Sequence, residues 1–295
     1  MGARVTQTLV ESFFHADTGT FTHVAHAGPG SRAAIIDPVL DYDAAAARTT
    51  TASADKVLDF VRAHRLRADW ILETHTHADH LSAAGHLRDA LDAPLAIGRG
   101  VVDIQSRLKV LYGLGAEFAA DGSQFDRLLA DGDLFAVGAL DGRAIATPGH
   151  TPDSLTYVIG DAAFVGDTLF APDIGTARCD FPGGDASDLY RSIRRILALP
   201  VATRIFLCHD YPPDGRAPTP AWTIDAQLEG NVHVRNGTTE SGFVALRNAR
   251  DSGLPVPRLM LPALQVNIRG GRLPGPDGNG IRYLRLPLDR IGAGG

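Results

Sequence analysis

Cysteines, basic runs and long apolar segments are all scarce in this chain. Only two of its 295 residues are cysteines, Cys179 and Cys208. This number gives no disulfide framework and agrees with a reducing cytosol, although a pairing of the two stays open. The 28 Lys and Arg residues form no run and the formal net charge is -6, which argues against nucleic acid or an anionic membrane as partner. We therefore expect a small-molecule substrate.

The N-terminus shows no sign of a targeting segment. Met1-Gly2-Ala3-Arg4 leads directly into a strand-like segment, without the apolar stretch of a signal peptide or a membrane span. An Arg- and Ser-rich leader is also lacking, so we expect a cytoplasmic location. The length and the 44% hydrophobic content suit one large domain, or a domain with an appendage.

The first half of the chain changes from strand to helix patterns. Runs rich in Val, Thr, Phe and Ile predict a β-meander at residues 5–14, 20–26 and 33–37. Residues 41–51 are interpreted as a loop or short helix, and Ser53 as the cap of the helix that follows.

A βαβ pattern comes next. A strand at 69–73, a helix from Leu81 to Leu91 and a strand at 94–98 follow one another. Residues 99–133, with Val101, Val102, Ile104 and Leu108 at helical spacing, are interpreted as an insertion over the functional site.

Short apolar runs at 134–137, 143–147, 154–159 and 162–165 predict a second, antiparallel set of strands. A helix at 185–199 and a last buried strand at 204–208 follow. The arginines on that helix, at 191, 194 and 195, are read as a solvated face. Two β-rich halves with helices outside predict an α/β (α+β) protein built as a four-layer αββα sandwich.

The composition changes after Tyr211. We assign residues 1–211 to a catalytic domain and 212–295 to a C-terminal extension docked on it, because too few apolar segments remain for a separate core. Within the extension we predict one helix, between Thr238 and Asp251, and a Pro/Gly-rich tail from Leu254.

The densest chemical signal is His75-Thr76-His77-Ala78-Asp79-His80, which holds four metal-capable side chains in six residues. It lies between a predicted strand and a helix, where layered α/β folds place their active sites. The alternative interpretation is a solvated polar loop with a helix cap. Four such groups this close together favour a metal site.

Three further signals occur where apolar runs end in turns. They are Pro148-Gly149-His150, Gly166-Asp167 and the late His209. Each is weak alone, whereas their ordered combination with the first motif is strong. By contrast His15, His23 and His26 have no carboxylate or cysteine at ligand spacing and are interpreted as strand or surface histidines.

In this order the motifs resemble the metallo-β-lactamase superfamily, over roughly residues 5–211. The resemblance implies the αββα sandwich with the motif loops at one edge of two facing sheets. It also implies two metal sites, with Asp167 able to bridge them. The first would be formed by His75, His77 and His150, and the second by Asp79, His80 and His209.

Residues outside the shared set resemble the persulfide dioxygenases, also called sulfur dioxygenases or ethylmalonic-encephalopathy proteins. These are residues 166–170, 175–181 and 208–211, and the segments 231–234 and 264–268 resemble the longer bacterial branch. Membership would imply one Fe(II) per chain, held by His75, His150 and Asp167. Two imidazoles and one carboxylate leave open positions for O2 and substrate.

The implied reaction converts glutathione persulfide, O2 and water to glutathione and sulfite, a step of sulfide detoxification. Arg178 and Tyr211 are the implied glutathione-binding residues. The alternatives are an intradomain salt bridge for Arg178 and a packed aromatic for Tyr211. The other four cluster members would orient ligands or bind a second metal: His77, Asp79, His80 and His209.

Other functions stay open. A thioester hydrolase of the glyoxalase II type shares the implied fold, the thiol tripeptide and the ligand order, but would use two metal ions. A non-catalytic metal-binding or sulfide-sensing module is disfavoured by the complete ligand set. Cys179 is interpreted as a buried inert thiol, with an oxidisable thiol as the alternative. A homo-oligomer, such as a dimer, is left open.

Overall fold

A computed structural model describes residues 7–213 and 215–290. The interpretation of Met1-Gly2-Ala3-Arg4 lies outside these residues. The strands are β1 (Leu9–His15), β2 (Thr20–His26), β3 (Arg32–Ile36), β4 (Val39–Asp43), β5 (Arg48–Thr50), β6 (Arg67–Leu72), β7 (Leu81–Ser82), β8 (Leu95–Gly98), β9 (Arg127–Leu129), β10 (Leu134–Val137), β11 (Leu140–Ala146), β12 (Leu155–Ile159), β13 (Ala162–Phe164), β14 (Arg204–Phe206) and β15 (Ala221–Thr223). The α-helices are α1 (Ala52–Ala63), α2 (Ala84–Leu91), α3 (Val101–Leu111), α4 (Ala186–Leu197), α5 (Ile224–Gly230), α6 (Glu240–Asp251) and α7 (Met260–Asn267).

Two six-stranded sheets form the centre of the fold. The first has the order β1-β2-β3-β6-β8-β9 and the second β10-β11-β12-β13-β14-β15. The antiparallel meander β1-β2-β3 and the parallel pair β6 and β8, joined through α2, confirm the predictions for these segments. In the second sheet β10 to β13 are antiparallel neighbours, also as predicted.

Side-chain alternation along the strands builds the four layers. In β3, Ala33 and Ile35 join a cluster with α1 and α2, whereas Ala34 and Ile36 join the cluster between the two sheets. In the second sheet Ala163 packs beneath α4, while Phe164 faces inward. Helices therefore cover the outer face of each sheet, which confirms the predicted αββα sandwich.

Two predictions around the first helix are wrong. The N-cap of α1 is Thr51, which makes no capping hydrogen bond, and Ser53 Oγ instead donates to Asp41 at 2.7 Å. Residues 41–51 are not a loop or helix, because most of them form β4 and β5 of a small sheet with the order β5-β4-β7.

The segment 99–133 is only partly an insertion. Its predicted helix is present as α3, but residues 127–129 form β9, the edge strand of the first sheet. The strand-like pairing of Leu81 in β7 also delays the next helix, which begins at Ala84 rather than Leu81.

The C-terminal part contributes more structure than its composition suggests. β15 pairs with β14 and completes the second sheet, and α6 confirms the helix expected between Thr238 and Asp251. The expectation of a plain tail from Leu254 is wrong, because α7 lies within it. A boundary at residue 211 stays a prediction. Among the described residues, no helix is long and apolar enough to span a membrane.

Candidate metal centre

Four strand ends bring the candidate ligands together. His75 follows β6, His150 follows β11, Asp167 follows β13 and His209 follows β14. Facing sheets that end at one edge place these side chains around a common space. All four residues are buried, although most of their neighbours at this edge are polar.

His75, His150 and Asp167 form one group. Each offers a ligand atom, and these atoms all lie within 4.8 Å of one another. His150 Nε2 lies 3.6 Å from Asp167 Oδ2. Within the described residues, His75 Nε2 and Asp167 Oδ1 are buried without a hydrogen-bond partner. Such orphaned atoms carry a large desolvation cost unless a ligand satisfies them, so this group fits a cation.

Hydrogen bonds fix which nitrogen of each ligand imidazole faces this group. Thr74 Oγ1 donates to Asp37 Oδ2 at 2.9 Å, so it must accept from His75 Nδ1, which lies 3.0 Å away. His150 Nδ1 donates to the carbonyl oxygen of Arg178 at 2.8 Å. Both imidazoles therefore keep a lone pair on Nε2 for a metal ion.

Burial tunes the charge of the group. It lowers the pKa of His75 well below its ordinary value, and the neighbouring imidazoles of His77 and His150 lower it further. Burial also raises the pKa of Asp167, against the influence of His209 and His150. A neutral His75 can bind a metal ion, and a metal ion would in turn stabilise the carboxylate form of Asp167.

A second group lies beside the first. His77, Asp79, His80 and His209 also offer ligand atoms within 4.8 Å of one another. His209 Nε2 lies 3.1 Å from Asp79 Oδ2 and 3.4 Å from Asp167 Oδ1. Burial and the neighbouring His77 lower the pKa of His80 to about 4, against the opposing influence of Asp79. This second group therefore has the composition of a metal site as well.

Two buried carboxylates hold His77. Its Nε2 lies 2.9 Å from Asp37 Oδ1 and 3.1 Å from Glu73 Oε2, whereas its Nδ1 has no hydrogen-bond partner among the described residues. Burial disfavours the protonated ring, but Asp37 and Glu73 raise the pKa of His77 well above its ordinary value. Glu73 is fixed in turn by a short hydrogen bond from Ser82.

Two glycines permit the close approach of the ligand loops. At Gly149, with φ of 137°, a Cβ atom would lie 2.3 Å from the backbone nitrogen of Leu189 in α4. At Gly166, with φ of 52°, it would lie 2.6 Å from Thr74 Oγ1. Any side chain here would displace His150 or Asp167, because both positive φ angles and both contacts exclude it.

Asn267 of α7 connects the C-terminal part to the first motif. Its Nδ2 donates to the carbonyl oxygens of His77 and His80, both at 2.8 Å. Its Oδ1 accepts from the backbone N–H of Ser82, also at 2.8 Å. One buried side chain therefore fixes the backbone of the loop that carries His77, Asp79 and His80.

A cavity of about 610 Å³ opens beside the first group. Its lining includes Thr76 and Thr151, which neighbour His75 and His150 in sequence, and Phe181, whose ring packs edge-on against His150. Residues of α3, the loop 178–182 and the segment 251–264 form its other walls. Its volume is that of a small-molecule site, and the C-terminal part supplies one wall.

Residues 19–209 match a family model described as the metallo-beta-lactamase superfamily. The chain belongs to this superfamily. It is therefore an enzyme of the metallo-hydrolase superfamily, and its clustered His and Asp side chains indicate that it binds a metal ion.

Several curated proteins are similar to this chain in sequence. A probable metallo-hydrolase of Burkholderia pseudomallei is 54% identical, over 96% of this chain and 99% of the relative. "Glyoxylase B2" of Dictyostelium discoideum is 46% identical, over 88% of this chain and 90% of the relative. The human mitochondrial persulfide dioxygenase ETHE1 is 33% identical, over 69% of this chain and 68% of the relative. The chain spans 65% of a beta-lactamase hydrolase-like protein of Xylella fastidiosa, with 50% identity.

Among solved structures of the superfamily, ETHE1 from Myxococcus xanthus is similar with a TM-score of 0.71 and 29% identity. The match covers 90% of this chain and 100% of the Myxococcus xanthus chain. The similarity therefore extends beyond the sandwich into the C-terminal part.

The two implied substrate residues differ in their surroundings. Arg178 lines the cavity, and its guanidinium makes two 2.6 Å hydrogen bonds to Asp180 and one of 2.7 Å to the Pro255 carbonyl. Tyr211 does not line the cavity. The residue is 47% exposed, and its ring stacks on His209 with centroids 5.7 Å apart.

Sequence reasoning missed the residues that hold the ligands in place, namely Asp37, Glu73, Thr74 and Asn267. Asp37 could have been found, because it follows the buried run of β3 and precedes a proline, as a strand-end carboxylate does. Asn267 lies in the segment 264–268 that carried part of the family resemblance, but nothing in the sequence indicated its role, since this role depends on a contact across 190 residues of chain.

We expect Thr74→Val to weaken metal binding at the first group, because it removes the hydroxyl that links Asp37 to His75. The loss should be on the order of 10-fold or more in metal affinity, as for other partners of metal-bound histidines. Titration against a competing chelator measures it. Thr74→Ser keeps the hydroxyl and should bind as the wild type does. Equal affinity for the valine variant would show that the link is unimportant.

Proposed function

We propose that this protein is a persulfide dioxygenase that oxidises glutathione persulfide with O2 and water to sulfite and glutathione. The observation that carries the proposal is the group of His75, His150 and Asp167, with both imidazoles turned to present Nε2. Two imidazoles and one carboxylate are the ligand set of non-haem Fe(II) oxygenases. The similarity to ETHE1 proteins in sequence and in structure supports it.

His75, His150 and Asp167 would hold one Fe(II) per chain, which would supply the route for electrons from the persulfide sulfur to O2. The chain's own contribution is positioning. Asp37 and Thr74 orient His75, the Arg178 carbonyl orients His150, and burial excludes bulk water from the ligand atoms. Such fixed geometry is the scaffold's part in cofactor chemistry.

The persulfide would enter through the cavity. Thr76 and Thr151 line it, so a sulfur placed beside them reaches the neighbourhood of His75 and His150, while the rest of the molecule can contact apolar lining residues. Arg178 keeps two of its five N–H bonds free for the substrate. We retain Tyr211 as a substrate residue on the side of His209.

A glyoxalase II type thioester hydrolase is the second candidate. Its support is the intact second group, with both His80 nitrogens, His209 Nε2 and Asp79 Oδ2 buried without hydrogen-bond partners among the described residues. The similarity to "Glyoxylase B2" agrees with it. A hydrolase would use both groups, since two metal ions can clamp a nucleophilic hydroxide between them.

The two candidates differ in substrate, so one preparation can be offered both. The iron-loaded protein is supplied with glutathione persulfide and, separately, with S-lactoylglutathione. We expect sulfite from the first and no thioester hydrolysis from the second. Hydrolysis of the thioester without sulfite formation would replace the proposal by the second candidate.

A further inference from the structure

The charged side chains of the cavity are not balanced. Three arginines and two aspartates line it: Arg107, Arg178, Arg290, Asp180 and Asp251. Both aspartates are already paired. Asp180 binds Arg178 through two hydrogen bonds, and Asp251 binds the buried Arg247 of its own helix. Among the described residues, Arg107 and Arg290 have neither an ion pair nor a side-chain hydrogen bond, which leaves the cavity with uncompensated positive charge.

Arg107 lies on the cavity wall, near the segments that follow His150 and Phe181 in the chain. It lies on α3, and its Nη1 is 3.2 Å from the position of a Cβ built at Gly183, beside Pro152. Pro152 follows His150 by two residues, so the guanidinium lies near the loop that carries this ligand.

Arg178 can still donate its two free N–H bonds to a neutral oxygen of the substrate, but it is less suited than Arg107 to bind a carboxylate. Its charge is matched by Asp180, and its side chain is also bonded to the Pro255 carbonyl. A carboxylate approaching it would have to compete with Asp180. Arg107 has no such competitor, and a guanidinium with free N–H groups can bind a carboxylate through two parallel hydrogen bonds.

We propose that Arg107 binds a carboxylate of the substrate, remote from its sulfur, and that the enzyme therefore selects anionic thiol derivatives over neutral ones. The identity of the reacting group rests on the proposed function, whereas the charge preference rests on the cavity alone. Arg290, at the same cavity, adds to the positive field and is a secondary contact.

Binding of S-methylglutathione tests the proposal without turnover, because its thioether is neither a persulfide nor a thioester. By calorimetry we expect Arg107→Leu to weaken binding about tenfold, the effect of losing one charge-assisted hydrogen-bonded contact. Exposed Arg235, which neither lines the cavity nor forms an ion pair, provides the matched control. Arg235→Leu should bind as the wild type does.

The ligand's charge is varied in the same way. The diethyl ester of S-methylglutathione lacks both carboxylates. It should therefore bind weakly, and its affinity for Arg107→Leu should equal its affinity for the wild type. Equal affinity of wild type and Arg107→Leu for S-methylglutathione would overturn the proposal, as would no binding by the wild type. Unfolding midpoints of both variants check that the substitutions leave the fold intact.

Turnover separates this proposal from the proposed function. If both hold, Arg107→Leu raises KM for glutathione persulfide and leaves kcat nearly unchanged, because the contact lies away from the reacting sulfur. If the protein consumes no O2 but binds S-methylglutathione in an Arg107-dependent way, the dioxygenase proposal is wrong and the carboxylate contact stands.

Discussion

His150→Ala is expected to abolish metal binding at the first group, and activity with it, while leaving the fold intact. His150 lies on a turn after β11, and its ring contacts other site residues rather than the sheet core: it packs edge-on against His75 and Phe181, each at 5.1 Å between centroids. Removing it leaves one imidazole and one carboxylate, which cannot hold the ion in the same geometry.

The expected loss of activity is at least about 100-fold, the upper end of what loss of a ligand's hydrogen-bond partner causes. Metal content per chain and the unfolding midpoint of the metal-free protein are measured together. His86→Ala is the matched control, since His86 lies on α2 at the surface, near Asp55. A His150→Ala protein that keeps its full metal content would contradict the ligand assignment.

Asn267→Leu should have the second largest effect, on both stability and metal binding. The substitution leaves three buried backbone groups without partners, at His77, His80 and Ser82. Unpaired buried groups of this kind predict a decrease of about 2–4 kcal/mol in the free energy of unfolding. Because the same bonds fix the loop of His77 to His80, metal affinity should fall by roughly 10- to 100-fold.

A purely structural role for Asn267 would give a different result. The stability of the metal-free protein would fall, but the metal affinity of the folded fraction would equal that of the wild type. Asn267→Asp refines the comparison, since it keeps the acceptor for Ser82 and loses both donors to the His77 and His80 carbonyls. We expect it to lose metal affinity like the leucine variant. Asn248→Ala, at an exposed position of α6, is the control.

The four-layer arrangement could be predicted from the sequence, because the residue periodicity of a strand or a helix is contained within its own short segment of chain. The meander, the βαβ unit and the antiparallel second sheet all follow from apolar runs and turn residues. α7 could not be predicted in this way. It is buried against both the metal loop and the cavity, so the segment Met260–Asn267 lacks a polar face and shows no amphipathic period.

In the candidate site, likewise, the ligand residues could be predicted from the sequence, whereas the groups that orient them could not. Metal-capable side chains are recognisable from residue type and spacing, and the structure brings His75, His150 and Asp167 together as the motifs implied. The hydrogen bonds that occupy Nδ1 of each imidazole, and so leave Nε2 for a metal ion, are made with Thr74 and with the backbone carbonyl of Arg178. A backbone carbonyl has no sequence signature. The partner of Arg178 likewise depends on side-chain geometry, although Asp180 is only two residues away.

Metal analysis of anaerobically purified protein, combined with oxygen uptake on glutathione persulfide, tests the central claim most directly. The account predicts one iron per chain and consumption of one O2 for each sulfite formed. If His150→Ala loses both the bound iron and the oxygen uptake, the reaction takes place at the first group. Two zinc ions per chain, no oxygen uptake and hydrolysis of S-lactoylglutathione would contradict the account.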